Sequence, residues 1–392
     1  MLDVVYNHAG GSFGDESLEF FDRQDTSGGW QNTLYFGPNG HAGGRVFDYT
    51  KPEVRDFLIQ NAKFFLDEYR VDGLRYDQVS VIDHDGQPEG WAFCQALTST
   101  LRFQRPGALN KAEYWDVNSY VVKTPPEGAG FDTCLTDGLR IAIRDVIGNA
   151  SQPDERPLDM AGLGRSLWPN GFTQHWQFVQ GPENHDLVLK DRQMRVARLG
   201  HPDDPRSWFG RSRARVATGI GLTAPGIPML FMGQEFLEDK QWSDNIEQDQ
   251  ALLLHWAGLD AGDKQMVSHL RFTRELIALR WNQPALRGQG FRVVHASNDN
   301  RVLAFHRWVE GEGRDVLVVV HLSTFTRSGY RIGFPGGGWW REMFNSDVYD
   351  NWVNPHVAGN GNGVTADDRG MHGFGHSAAL VLPANSILVL GR

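Results

Sequence analysis

Val71-Asp72-Gly73-Leu74-Arg75-Tyr76-Asp77 reads as a short strand that runs into a loop. Arg75 stands two residues before Asp77, so in a strand both side chains point to the same side. Before this stretch, 51–69 carries Pro52 near a helix start and apolar residues at Phe57, Leu58, Ala62, Phe65 and Leu66, the pattern of an amphipathic helix. After it, the pattern predicts a helix over 91–103, strands over 108–113 and 131–135, and a helix over 137–147. A strand over 174–178 then leads into Gly181-Pro182-Glu183-Asn184-His185-Asp186. A basic helix over 193–199, a helix over 211–222, a strand over 226–232 ending at Gly233-Gln234-Glu235, and a helix over 265–281 before Pro284 complete the series. Strands that alternate with helices imply an α/β fold, a parallel sheet with helices outside.

Two stretches break the alternation. Residues 9–50 are rich in Gly, Asp, Ser and aromatics without a sustained period, and read as one long loop. The polar stretch 148–170 reads as another. From about 290 the texture changes: 302–307, 315–322, 377–382 and 386–390 are strand-like, separated by Gly/Asn/Asp clusters with no helical pattern between them. This predicts an all-β sandwich over 290–392 behind an α/β part over 1–289.

Composition narrows the function. The chain has 392 residues, 40% apolar and 22% charged, so it is an ordinary globular sequence rather than a disordered one. A net charge of -10 argues against a nucleic-acid binder, which needs a basic face. No apolar run reaches the ~18 residues of a membrane-spanning helix. Two cysteines, Cys94 and Cys134, make no disulfide framework and point to a reducing compartment, the cytoplasm. The 13 Trp suggest ligand-stacking surfaces, although cores and interfaces use Trp as often. Met1-Leu2-Asp3-Val4-Val5-Tyr6-Asn7-His8 opens inside a buried-strand pattern with no leader, cap or turn before it, as a fragment of a longer protein would.

Acidic, amide or imidazole groups recur just past the predicted strand ends: Asn7-His8, Asp77, Glu113, His185-Asp186 and Gln234-Glu235. In a parallel α/β barrel those ends converge on one face. Carboxylates from three strands suit glycoside chemistry, in which a retaining enzyme places a nucleophilic carboxylate and a proton-donating carboxylic acid ~5 Å apart. An Arg75 guanidinium beside Asp77 would keep it ionised. Taken singly, Asp77 could cap a helix, Glu113 with Trp115 could be a surface acid beside an interface aromatic, and Asn7-His8 could bond a turn. Their ordered recurrence favours the catalytic reading.

With these residues in place, the chain resembles family 13 of the glycoside hydrolases, the α-amylase family. Four motifs match in order: Asp3-Val4-Val5-Tyr6-Asn7-His8, Gly73-Leu74-Arg75-Tyr76-Asp77, Ala112-Glu113 and Asn184-His185-Asp186. The resemblance implies a (β/α)8 TIM-type barrel, incomplete here and represented by about its third to eighth strands, with a C-terminal sandwich. It implies Asp77 as nucleophile, Glu113 as general acid/base and Asp186 as the group that grips sugar hydroxyls in the distorted transition state. Asp3, Tyr6, His8, Arg75, Trp115 and His185 would bind or orient the same sugar.

Within the family, several segments resemble the glycogen branching enzymes. They are Phe47-Asp48-Tyr49 with 52–58, Pro125-Pro126-Glu127-Gly128 onward, 230–236 followed by Trp242, and 341–347. An α-amylase typically has Lys-His three and four residues past the nucleophile, where this chain has Ser80-Val81. Branching enzymes usually follow the acid/base with acidic or hydroxyl residues, where Tyr114-Trp115 stand here, and usually read Ser-His-Asp in place of Asn184-His185-Asp186. The resemblance implies transfer of a cut α-1,4-glucan segment to a 6-hydroxyl, with an α-glucan hydrolase, a non-catalytic glucan binder and an inactive fragment as alternatives. Trp30, Trp115, Trp168, Trp176 and Trp242 are candidate stacking platforms. No cofactor or metal is required by the chemistry, no calcium site is expected from the short 9–50 insert, and Asp15, Glu16 and Asp25 are expected to face solvent.

Overall fold

The computed structural model describes residues 1–9, 33–86 and 88–392. Two compact units divide the chain: Met1–Thr136 with Asn170–Val179, and Asp137–Pro169 with Gln180–Arg392. Trp30, Asp15, Glu16 and Asp25 lie outside the described residues.

In the first unit, strands β1 (Leu2–Val4), β5 (Gly73–Tyr76), β6 (Leu109–Glu113), β7 (Thr133–Leu135) and the start of β8 (Phe178–Gln180) pair in parallel in that order. The register sets Asp3 beside Arg75 and Arg75 beside Lys111. Helices Pro52–Asp67 and Gly90–Gln104 make the crossovers, the first entered through Pro52 and burying Val54, Leu58, Ile59, Ala62 and Leu66. These elements agree with the sequence pattern to within a few residues. Gly73 is required by close strand approach, since a Cβ there would lie 2.3 Å from the Leu109 carbonyl oxygen.

The loop expected over 9–50 contains a small antiparallel sheet of β2 (His8–Ala9), β3 (Phe36–His41) and β4 (Gly44–Phe47), in the order β2-β4-β3. Composition hid it: β3 reads FGPNGH, poor strand formers, with a register shift between Phe36 and Gly40. Its turn is Ala42-Gly43, both at positive φ (50° and 87°), as a two-residue hairpin of the primed type needs.

The second unit holds the long helices Gly138–Ala150, Trp208–Thr223 and Lys264–Asn282. Part of the expected loop 148–170 is a short helix, Met160–Ser166, capped by Asp159 on the Gly162 N–H at 2.8 Å; Gly162 and Gly164 weakened its pattern. The strand expected over 174–178 is a 3-10 turn at His175–Gln177, and the sheet residues are those of β8. The strand expected over 226–232 shrinks to β9 (Ile227–Pro228), because Pro228 has no N–H to give a ladder. The basic helix expected over 193–199 is the shorter Val196–Gly200.

From Gly290 the chain is antiparallel β. Strands β10 (Gly290–Ser297), β11 (Val302–Trp308), β12 (Val316–His321), β14 (Gly338–Asn345), β15 (Gly363–Ala366) and β17 (Ser386–Gly391) form one sheet in the order β10-β11-β12-β17-β14-β15. Strands β13 (Arg327–Phe334) and β16 (His376–Leu382) form another. The period-2 alternation of β11, β12 and β17 buries both faces. Leu303, Phe305, Val318, Val320, Ile387 and Val389 pack with Ile220 and Phe272 of the helices. Ala304, Leu317, Val319, Leu388 and Leu390 pack with Ile332, Phe334, Leu380 and Leu382 of the two-stranded sheet.

Among the described residues no helix is long and apolar enough to cross a membrane. Cys94 and Cys134 are buried free thiols.

Candidate active site

Parallel register brings the charged residues of β1, β5 and β6 into one layer at the strand ends of the first unit. Arg75 is its hub: Nη1 contacts Asp3 Oδ1 at 2.7 Å and Asp77 Oδ1 at 2.8 Å, and Nη2 contacts Glu113 Oε2 at 2.6 Å. Asn7, fully buried, donates from Nδ2 to Asp77 Oδ2 at 3.0 Å and to the Asp77 carbonyl at 2.9 Å.

The electrostatics follow from these partners. Burial pushes the Asp77 pKa up, but the Asn7 hydrogen bond and the Arg75 charge and hydrogen bond outweigh it and hold Asp77 below the ordinary carboxylate value. Arg75, pulled down by burial, is raised overall by Glu113, Asp3 and Asp77. The cluster keeps Asp77 ionised and fixes Glu113 on the same guanidinium, the charge pattern of a nucleophile beside an acid. Glu113 is 1% exposed, whereas the Asp77 side chain is 22% exposed and open to a ligand.

Backbone geometry contributes to the same cluster. Gln78 sits in the left-handed region (φ 32°, ψ 62°), uncommon for a residue with a Cβ, and so aims its N–H at Glu113 Oε2, 3.1 Å away. Neither Gln78 nor the central position of Asn7 stood out in the sequence. A polar residue in a turn has no periodicity, and left-handed backbone at a glutamine carries no compositional mark.

The remaining sequence candidates are placed as follows. His8 contacts Asn7 Oδ1 through Nδ1 and meets the His41 ring edge-on at 5.3 Å. Burial first and His41 second lower its pKa against the pull of Asp77, so it is neutral at pH 7. Tyr6 is buried, and its hydroxyl donates to Asn61 Oδ1 at 2.7 Å on helix Pro52–Asp67. That hydroxyl joins strand to helix. Tyr6→Phe is therefore expected to lower unfolding stability by about 1 kcal/mol, read by urea titration.

Trp115 is half-buried, and its N–H donates to Ser80 Oγ at 3.4 Å, so the residue standing where amylases carry lysine here secures the loop after Glu113. The Tyr114 hydroxyl fastens the same loop to Asp83 Oδ2 at 2.6 Å. Trp176 is exposed at the surface of the first unit.

His185 and Asp186 belong to the second unit, where His185 Nε2 lies 3.3 Å from Asp186 Oδ2. Trp242 Nε1 donates to the His185 carbonyl at 2.6 Å, so this candidate platform also holds the His185-Asp186 turn. Trp168 stacks on Phe291, a packing role. Gln234 spends its amide on Thr218 Oγ1 at 3.0 Å. Among the described residues no group of three or more His, Cys, Asp or Glu could hold a metal ion.

The family profile of the alpha amylase C-terminal all-beta domain matches residues 293–392. The chain is 30% identical over 376 residues to the 1,4-alpha-glucan branching enzyme GlgB of Paramagnetospirillum magneticum, covering 88% of this chain and 47% of that protein. The GlgB 1 of Xanthomonas euvesicatoria is 31% identical over 376 residues, covering 88% and 48%. The chain thus spans about half the length of the curated relatives it matches. The structure is similar to the alpha-amylase of Geobacillus thermoleovorans solved with acarbose, with a TM-score of 0.70 at 18% identity, covering 100% of this chain and 76% of that one. A debranching enzyme of Nostoc punctiforme gives 0.69 at 18% identity with the same coverage. Four ordered motifs, a matching alpha amylase C-terminal all-beta domain and a shared fold make the chain similar to proteins of the α-amylase family.

Proposed function

We propose that this chain carries the machinery of a 1,4-α-glucan branching enzyme, acting by retaining double displacement. The observation that carries the reading is the Asp77–Arg75–Glu113 cluster: one guanidinium pairs with both carboxylates, through Nη1 with Asp77 Oδ1 at 2.8 Å and through Nη2 with Glu113 Oε2 at 2.6 Å, and so holds side by side the two groups a retaining mechanism needs. Asp77 Oδ attacks the anomeric carbon of an α-1,4-linked glucosyl unit while Glu113 gives its proton to the departing 4-oxygen. The covalent glycosyl–Asp77 ester forms as the C1–O4 bond breaks. Glu113, now a carboxylate, takes the proton from an incoming 6-hydroxyl as that oxygen displaces Asp77 from C1. Asp186, in the second unit, is the residue to which the family resemblance assigns the grip on sugar hydroxyls. Because Glu113 is buried against Arg75, the acid role requires its side chain to turn toward the glucan when the chain binds.

Water would divert the ester to hydrolysis, so transfer requires an acceptor held close, which raises its effective concentration. Exposed Trp176 and half-buried Trp115 are candidate aromatics of the first unit for that role. We read the parallel strands as the third to eighth of a (β/α)8 barrel, within 1–289, followed by an all-β domain over 290–392. The free thiols of Cys94 and Cys134 support a reducing, cytoplasmic setting.

Incubation with amylose tests the reading. The expected result is loss of iodine colour with few new reducing ends, and new short chains after treatment with a debranching enzyme. Reducing ends that rise in step with the loss of colour would instead make the chain an α-glucan hydrolase. Glucan binding without either change would make it a binder.

A further inference from the structure

His41 belongs to none of the four motifs, yet the small sheet β2-β4-β3 packs it against the proposed site. Strand β4 pairs Val46 with His8 of β2 and Gly44 with His41 of β3. Positions 44 and 46 lie two apart in one strand, so both imidazoles project from the same face, and Gly44 has no side chain to come between them. The His41 ring meets the His8 ring edge-on, with centroids 5.3 Å apart and planes at 73°. The hairpin is also tied to the backbone of the site. The Phe47 N–H donates to the Asn7 carbonyl at 3.2 Å, and Asn39 Nδ2 donates to the carbonyl of Asp85, at the end of helix Val79–His84, at 2.7 Å.

From His8 a chain of polar contacts leads to the proposed nucleophile. Asn7 Nδ2 is spent on the Asp77 carbonyl at 2.9 Å and on Asp77 Oδ2 at 3.0 Å. Its Oδ1 therefore faces His8 Nδ1, and because an amide oxygen only accepts, His8 carries a proton on Nδ1. The χ2 torsion of a histidine is broad, so the ring keeps one nitrogen on its partner only where something packs against it. Among the described residues, His41 is the aromatic group in contact with His8. The titratable groups acting on His8 among those residues are His41 from β3 and Asp77 from just past β5. Strand β4 sets Val46 opposite His8 and turns Arg45, opposite Ala9, to the other face. Burial first and His41 second lower the His8 pKa, while Asp77 raises it. A second proton on His8 would add a cation to this chain and make Asp77 a weaker nucleophile.

We propose that His41 is a positioning residue of the site: its ring holds the His8 imidazole with Nδ1–H on Asn7, and through Asn7 aligns the Asp77 carboxylate. This gives the hairpin a part in the chemistry. The inference deepens the branching reading and rests on it for the role of Asp77.

Two variants separate packing from polarity: His41→Phe keeps a ring against His8, and His41→Ala removes it. The first readout is ring nitrogen NMR of the full chain labelled at histidine, with the His8 signals assigned by their loss in His8→Gln. Wild-type His8 is expected as the Nδ1–H tautomer. Its titration should move up by about half a pH unit in both variants, and the tautomer should become mixed in His41→Ala. The second readout is transfer on amylose against pH. His41→Ala is expected to lower kcat about tenfold with KM within about twofold, and to move the acid limb to higher pH. His41→Phe should show the limb shift with kcat near that of the wild type at neutral pH. If His41→Ala does not fold, the His8 titration in His41→Phe decides. A wild type that shows the NMR behaviour without transferring glucan counts against the branching reading and for the contact. A wild-type His8 protonated on Nε2 overturns the proposal, as does a His8 titration unmoved in both variants. So does a His41→Ala chain whose KM rises with kcat unchanged, which would make His41 a glucan contact instead.

Discussion

Asp77→Asn is expected to reduce glucan transfer by about 10⁴-fold or more, the scale on which loss of a covalent nucleophile registers. The substitution keeps the shape of the side chain and alters charge and hydrogen bonding. In the wild type Asn7 donates to Asp77 Oδ2 and Arg75 donates to Oδ1. An amide at 77 can still accept from Arg75, but its NH₂ would face the NH₂ of Asn7. Asn7 keeps its bond to the residue 77 carbonyl, so what is lost is about one hydrogen bond, about 1 kcal/mol, too little to unfold the chain. The variant should therefore fold and bind glucan with near-normal affinity while failing to form the glycosyl ester. Single-turnover trapping of a labelled ester on the wild type but not on Asp77→Asn checks this directly. Transfer by the variant within tenfold of wild type would remove Asp77 from the mechanism.

The same residue predicts a pH effect on stability. The Asp77 pKa is depressed in the folded chain, so the group contributes stability above its unfolded value of about 3.9. That contribution is lost as the pH falls through the depressed folded value. Urea melts between pH 6 and pH 3 should show a steeper acid loss for the wild type than for Asp77→Asn. Equal slopes would mean that Asn7 and Arg75 do not hold the carboxylate as the geometry implies.

Much of this cluster was legible from residue order, for a physical reason. A strand alternates with period two, and parallel strands stack like positions side by side. Arg75 and Asp77 on one face, with Glu113 ending the next strand, therefore had to meet if 71–77 and 108–113 were neighbours. The hairpin over 36–47 was not legible, because positive φ at Ala42-Gly43 and a shifted register make its strands rather than a run of β-branched residues. Asn7 was visible as a polar residue in a turn, but its two bonds to Asp77 span 70 residues of chain and leave no local trace. The short strand at Ile227–Pro228 was overdrawn because an apolar run alone does not show where a proline ends the ladder.

Glu183→Gln is expected to cost about 3–5 kcal/mol of unfolding free energy, the usual effect of removing one partner of a buried ion pair. Glu183 and Arg195 are 1% and 0% exposed. Arg195 Nε donates to Glu183 Oε2 at 2.7 Å, the Val196 N–H donates to Oε1 at 2.5 Å, and Arg195 Nη2 reaches the Met232 carbonyl at 3.0 Å. One carboxylate thus ties the turn that carries Asn184-His185-Asp186 to helix Val196–Gly200, and its partner ties both to the segment after β9. A glutamine fills the same space but leaves the Arg195 charge without a counter-ion, with Arg144 close enough to add to the repulsion. Replacing both members, Glu183→Leu with Arg195→Met, removes the stranded charge as well as the attraction, and should cost less than Glu183→Gln alone. Urea unfolding of Glu183→Leu, of Arg195→Met and of the double gives the coupling energy. Single variants whose losses simply add in the double would show that the pair does not act as a unit.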